Sequence, residues 1–239
     1  MPTSSIEDSQ RRAAKVVGFC YLFAMALSIF VEAYARGRLV IPDNAAETAR
    51  NIMAHERLFR FGIASYLLCM VSDAALITAL YVILKRVNPN IALFALVLRI
   101  VDTTVGVVAT LNSFDVLRLL SGADYLQAFR GDQIQALARI PVSLYGAGLN
   151  VSFLFLGLGS AVFGYLWLKS GYIPKPLAVV GVLGSLMMAA GAFAFIIFPG
   201  LSKTVSPAHF ALIFVFEVGA GFWLLFKGLR LPKTAEPVQ

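Results

Sequence analysis

A chain of 239 residues has room for one domain, but 59% hydrophobic residues against 14% charged lies outside the range of soluble folds. The mean hydropathy of +0.80 comes from several separate apolar runs, which excludes one anchor carrying a soluble domain. The net charge of +7 has no aromatic-interleaved basic patch behind it; basic residues sit singly at the ends of apolar runs, so the expected partners are membrane lipids and not nucleic acid.

A helix crossing about 30 Å of hydrocarbon needs roughly 20 mostly apolar residues, because its backbone groups must bond within their own segment. Six stretches meet that length, at about 16–35, 57–84, 91–118, 140–168, 176–202 and 207–228. The expected fold is therefore an all-α integral membrane bundle of six transmembrane helices over 13–230. A polar tail precedes it at 1–12, and another follows at 231–239.

The first stretch carries one charge, Glu32. A signal peptide is an alternative there, since Arg11, Arg12 and Lys15 precede an apolar region and Ala33-Tyr34-Ala35 has the A-x-A form. The uncharged run from Val16 to Val31 is long for such a region, and an uncleaved helix is the better reading. Cys20 and Cys69 both fall inside apolar runs, where a thiol behaves as a small hydrophobe.

Between the first and second stretches, Pro42-Asp43-Asn44 followed by Glu47 supplies a cap and a first-turn carboxylate. Ala45, Ala49, Ile52 and Met53 then recur on one face, which predicts a short amphipathic helix on the membrane surface. Asp132 to Arg139, before Pro141, either does the same or extends the fourth span with a proline kink.

Six spans place both termini on one side. That side carries 10 Lys and Arg and the other 9, with Arg99 in between, so the count alone gives no orientation. The short hairpins at Lys85-Arg86 and Lys169 to Lys175 carry bases without acids, and six of seven Lys lie on the terminal side. The positive-inside rule weights short loops, and it puts both termini in the cytoplasm. Tyr81 precedes Lys85 by four residues as Tyr165 precedes Lys169, which fits either a duplicated hairpin or ordinary interfacial residues.

The segments NIMAHERLFR at 51–60, LYVILKRVNPN at 80–90, GYLWLKSGYIP at 164–174 and EVGAGFWLLFKG at 217–228 together resemble the multi-pass membrane family called domain of unknown function 4386. The resemblance covers nearly the whole chain in segment order. It implies a six-helix prokaryotic membrane protein and no particular activity. The family pattern often places a histidine in the fourth span upstream of the Gly-Tyr pair; Phe153 to Phe163 has none, so a role resting on it does not transfer.

Charged groups at membrane depth are costly, about 2.5 to 3.5 kcal/mol each on insertion scales, and those retained usually face the bundle interior with partners. Asp73, Arg99, Asp102 and Glu217 are such groups. Counting along the spans, Glu217 falls near the midplane, Asp73 and Asp102 within roughly 4 Å of it, and Arg99 roughly 8 Å toward the terminal side. Arg99 and Asp102, three apart, share a helix face with Gly106, and Ala220 and Gly221 lie one turn from Glu217.

Three carboxylates around one guanidinium leave a formal charge of about −2, which burial opposes without a proton or a bound cation. The four residues are accordingly candidates for a ligand-binding or ion-linked site, against the alternative of a network that only fixes helix packing. Glu32, His55, Arg60 and His209 are candidates at the outer face. His55 and His209 could in principle share a metal or a haem, but two histidines without ligand spacing predict neither.

No G-x-S-x-G elbow, P-loop, H-E-x-x-H or dinucleotide fingerprint is present, and no cofactor is expected. The reading that follows is a bundle that binds or moves a small solute, proton or cation, with a homo-oligomer as a candidate assembly. A non-catalytic membrane partner or sensor subunit comes second. A lipid-modifying enzyme acting through Asp73, Asp102 or Glu217 comes third.

Overall fold

The computed structural model describes residues 3–206 and 208–230, with side-chain surroundings from Asp8 onward, Lys203 excepted. The C-terminal tail at 231–239 and the expected start of the sixth span at Pro207 lie outside the described residues. Among the described residues every regular element is helical. Six helices among the described residues are long and apolar enough to cross a membrane.

Helix α1 is Thr3–Ile29 and runs on through a π-helical turn at Phe30–Arg36 to Gly37–Leu39. Helix α2, Ala45–Ala54, is the short outer-loop helix, and α3 is Glu56–Leu84. Helix α4 is Pro89–Leu119, α5 is Gly131–Ser170, α6 is Lys175–Ile197 and α7 is Ala211–Phe226. Each spanning helix packs against the next in sequence, and α7 returns to α1, so the six close a ring.

Local chemistry sets the turns. Asn88 caps α4 by accepting from the backbone N–H of Asn90 at 3.1 Å and of Ile91 at 3.0 Å, with Pro89 in the first helical position. Gly171 takes φ 66°, the left-handed conformation that ends α5, and its N–H bonds back to the Trp167 carbonyl at 3.2 Å. The helical ring closes where backbones touch: a Cβ placed on Gly18 would lie 2.8 Å from the Gly221 carbonyl oxygen, so α1 and α7 meet through glycine.

One end of the ring gathers Ala13, Leu84, Trp167, Ile173 and Leu229 into a buried apolar cluster, which brings the two described chain ends together with both short hairpins. At the other end Leu39, Ile52, Phe59, Val116, Leu117 and Val142 form a second cluster. Between the ends the outward faces are apolar too, with Phe61, Val71, Val108, Leu183 and Val215 all exposed. Helices apolar all round are what a lipid solvent requires.

Two expectations need correction, the end of the fifth span and the seat of the outer-loop helix. The fifth span stops at Ile197, not at 202, because Pro199 and Gly200 break it into a 3-10 turn and the short helix Ser202–Val205. Of the two alternatives for 132–139, the structure has the extension of the fourth span: these residues are the first turns of α5, whose 40 residues extend to about 60 Å, far more than a bilayer needs. That extension supplies a protein surface, and α2 lays Thr48, Ala49 and Ile52 against it instead of on lipid, leaving Met53 exposed.

Candidate functional site

Arg99 projects from α4 into the ring and is 3% exposed. Its Nη2 donates to Asp73 Oδ1 on α3, its Nη1 donates to Ser160 Oγ on α5 at 2.8 Å, and its Nε lies 3.5 Å from Asp102 Oδ2 one turn along α4. Three helices are thus tied through one guanidinium. The remaining Asp73 oxygen accepts from the Thr103 hydroxyl at 2.7 Å, and Asp102 Oδ1 accepts from Ser152 Oγ on α5.

The position of the arginine depends on a glycine across the helix contact. A Cβ on Gly159 would lie 2.8 Å from Arg99 Cγ and 3.2 Å from the Ala95 carbonyl oxygen, so only a bare backbone lets the arginine stem pass. Such a pair is costly to bury and is retained because each charge is bonded on several sides.

Glu217, on α7, stands apart from the other three. It interacts electrostatically with Arg99, Asp73 and Asp102, yet among the described residues no hydrogen bond or ion pair reaches it. Tyr21 of α1 shares the same neighbourhood, interacting with Glu217, Arg99 and Asp73 and packing edge-on against Phe216 at 6.0 Å. The sequence-expected quartet is therefore a bonded trio with a detached fourth carboxylate.

Hydroxyl groups line the way from Asp102 to the far end of the ring. A Cβ on Gly106 would sit 2.8 Å from the Tyr66 hydroxyl and 3.5 Å from Ser152 Oγ, so both border the space this glycine leaves. Tyr66 packs edge-on against Tyr145 at 6.0 Å, and the Tyr145 hydroxyl donates to Glu32 Oε1 at 3.4 Å. Arg36 pairs with Glu32 at 3.7 Å while its guanidinium covers the Tyr145 ring at 3.9 Å. Glu32 and Arg36 belong to the π-helical turn, a distortion that often marks functional positions.

The other outer candidates do not join this line. Arg60 pairs with Glu56 at 2.6 Å on an exposed helix face, a contact of about 0.3 to 0.5 kcal/mol. His55 is exposed at the end of α2 with Nδ1 against the Asn51 carbonyl at 3.2 Å. His209 is buried elsewhere, against Phe195 and Phe210. Among the described residues no group of three His, Cys, Asp or Glu side chains is placed to hold a metal.

Sequence reasoning missed Thr103, Ser152, Ser160, Tyr66, Tyr145 and Arg36. Thr103 lies four residues after Arg99, and Ser152 and Ser160 are two helical turns apart, but hydroxyls are too common in membrane helices for spacing to single them out.

A closed ring of six apolar helices around a buried arginine and two bonded aspartates defines a polytopic membrane protein with an intramembrane ionic site. The family model described as domain of unknown function (DUF4386) matches residues 16–228, and the chain belongs to that family. It is also similar to an Archaeoglobus fulgidus protein described as an uncharacterized protein, at 26% identity over 175 residues, covering 73% of this chain and 88% of that relative. No solved structure matches it.

Proposed function

We propose that this bundle binds or moves a small solute, proton or cation at the Asp73, Arg99, Asp102 and Glu217 site, from a prokaryotic cytoplasmic membrane in which both termini face the cytoplasm. The observation that carries this reading is the detached Glu217, a carboxylate in the field of an arginine already bonded to Asp73 and ion-paired with Asp102, with no hydrogen bond or ion pair of its own among the described residues. Three carboxylates against one guanidinium leave negative charge within the membrane, and a proton or a cationic group neutralises it.

The hydroxyl line through Ser152, Tyr66 and Tyr145 to Glu32 supports access from the end opposite the termini. A small space lined by Arg36, Tyr66, Thr110, Ser113 and Tyr145 lies along that line. A water held in that space would bridge neighbouring hydroxyls and give a proton a path over a short gap.

Purified chain in proteoliposomes with a trapped pH dye tests the reading. Wild-type protein should pass protons or couple them to a cation gradient, and Glu217→Gln should abolish that flux while thermal unfolding stays within a few degrees. A silent wild type, together with a Glu217→Gln variant that unfolds much earlier, would assign the network to helix packing alone.

A further inference from the structure

We propose that the end of the ring holding both described chain ends carries a binding site for the phosphate headgroup of an anionic phospholipid, built where α7 meets the hairpin between α5 and α6. The backbone joins the two: the Arg230 N–H donates to the Tyr172 carbonyl at 2.9 Å, and Leu229 enters the buried apolar cluster with Ile173 and Trp167. Side chains follow the same seam. A Cβ on Gly219 would lie 2.9 Å from Leu177 Cδ1 in the first turn of α6, and Trp223, one turn further along that face of α7, comes to the hairpin.

Arg230 is the residue that fixes the site. Its guanidinium lies over the Trp223 ring, 4.7 Å from the centroid, which uses the face of the group and leaves its N–H edge free. A phosphate takes such an edge through two parallel hydrogen bonds. Lys169 and Lys175 stand three residues either side of Tyr172, and Lys227 lies one turn beyond Trp223; all three are exposed, as is Arg230. Pro174 gives the first turn of α6 no side-chain cap, so the positive end of that helix adds to the field.

What the seam lacks is negative charge. Neither 164–186 nor 218–230 contains Asp or Glu, and among the described residues none of these four bases has an acidic partner. The ion pairs of the surface arginines, such as Arg36 with Glu32 and Arg118 with Asp115, all lie at the opposite end of the ring. A lipid supplies the missing anion, and not free phosphate, because the seam continues into an apolar surface: Phe222 and Phe226 stack on the outer face of α7 at 6.2 Å, and Val179 is exposed on α6. Headgroup and acyl chain then meet charge and hydrocarbon in the order in which a bilayer presents them. Nothing in this site depends on the Arg99 network.

Photolabelling of the purified full chain in detergent, with phosphatidylglycerol carrying a diazirine early in its acyl chain, tests this. Labels should concentrate on α6 and α7 around Val179, Phe222 and Phe226, and excess unlabelled phosphatidylglycerol should lower them about fivefold. The same excess of phosphatidylcholine, or of inorganic phosphate, should leave them nearly unchanged. Arg230→Gln should reduce labelling about fivefold while unfolding at the wild-type temperature. Lys175→Gln, whose side chain makes no bond among the described residues, should reduce it in the same direction even if Arg230→Gln loosens the hairpin. Lys85→Gln, in the other hairpin, should leave it unchanged. Labels spread over all lipid-facing helices, equal competition by phosphatidylcholine, displacement by inorganic phosphate, labelling unchanged in both Arg230→Gln and Lys175→Gln, or an equal loss in Lys85→Gln would overturn the proposal.

Discussion

Arg99 of α4 and Asp73 of α3 are bonded directly through Nη2 and Oδ1, both deep in the ring, and each keeps further partners on a third contact: Ser160 for the arginine, Thr103 for the aspartate. The pair connects α3 to α4 and, through Ser160, to α5. A fold in lipid gains nothing from hydrophobic exclusion between helices, so packing and polar bonds of this kind hold the spans in register.

Replacing Arg99 by Leu should therefore destabilise the bundle by about 3 to 5 kcal/mol, because Asp73 and Asp102 lose their cation while remaining buried. Arg99→Lys should recover only part of that loss, since one ammonium cannot fork between Asp73 and Ser160 and still face Asp102. Thermal unfolding in detergent reads both variants, and a leucine variant as stable as wild type would contradict the energetic account.

The arginine and its two aspartates were legible in the sequence because charge inside an apolar run is rare and i,i+3 spacing fixes a shared face. Glu217 was only half legible: its depth followed from counting along the span, but its lack of a bond to Arg99 depends on how α7 is rotated against α1 and α6. The extension of α5 over 132–139 was legible only as one of two alternatives and the seat of α2 was not legible, since an amphipathic helix reads alike whether its apolar face meets lipid or the first turns of another helix. The π-helical turn at Glu32 and Arg36 gives no sequence signal, because its residues are as helix-compatible as their neighbours.

Gly159→Ala should disturb the site without touching a charged group. Its new Cβ would crowd Arg99 Cγ at 2.8 Å, and the arginine cannot swing aside while both ends of its guanidinium are bonded. Overpacking of this kind costs about 1 to 3 kcal/mol. The alanine variant should unfold earlier than Gly146→Ala, where a Cβ meets open space. Equal stabilities would show that the arginine stem has slack.

Asn44 Oδ1 accepts from the Glu47 N–H at 2.9 Å and Asn44 Nδ2 donates to the Glu47 carboxylate at 2.9 Å, which together start α2. Asn44→Ala should cost about 1 kcal/mol, confined to this helix. Hydrogen exchange should accelerate over Ala45–Ala54 and stay unchanged in α3, and a variant with unaltered exchange in α2 would remove the cap from the account.

The ring arrangement brings Lys85 and Lys169 to the end that also holds the described chain ends. Reporter fusions after Lys85 and after Lys169 should both report cytoplasm, and fusions after Ala54 and after Gly122 the opposite side. A reporter after Lys85 that faces outward would reverse the whole orientation, and with it the side from which Glu32 is reached.

The two aspartates should not be equivalent. Asp73 takes the direct Nη2 bond from Arg99 and a second from Thr103, whereas Asp102 meets Arg99 only through Nε at 3.5 Å and holds Ser152 more closely. Asp102→Asn keeps an oxygen for Ser152 and leaves one guanidinium opposite one bonded carboxylate, so stability should change by less than about 1 kcal/mol. Asp73→Asn removes the charge that Arg99 is bonded to, and bonds to charged groups are worth about 1.5 to 3 kcal/mol each, so that variant should lose at least that much. Pairing Asp73→Asn with Arg99→Met should recover stability relative to Asp73→Asn alone, because the uncompensated cation leaves with its partner. Four thermal unfolding curves decide the order, and an Asp102→Asn variant weaker than Asp73→Asn would mean that the Nε contact, not the Nη2 bond, anchors the arginine.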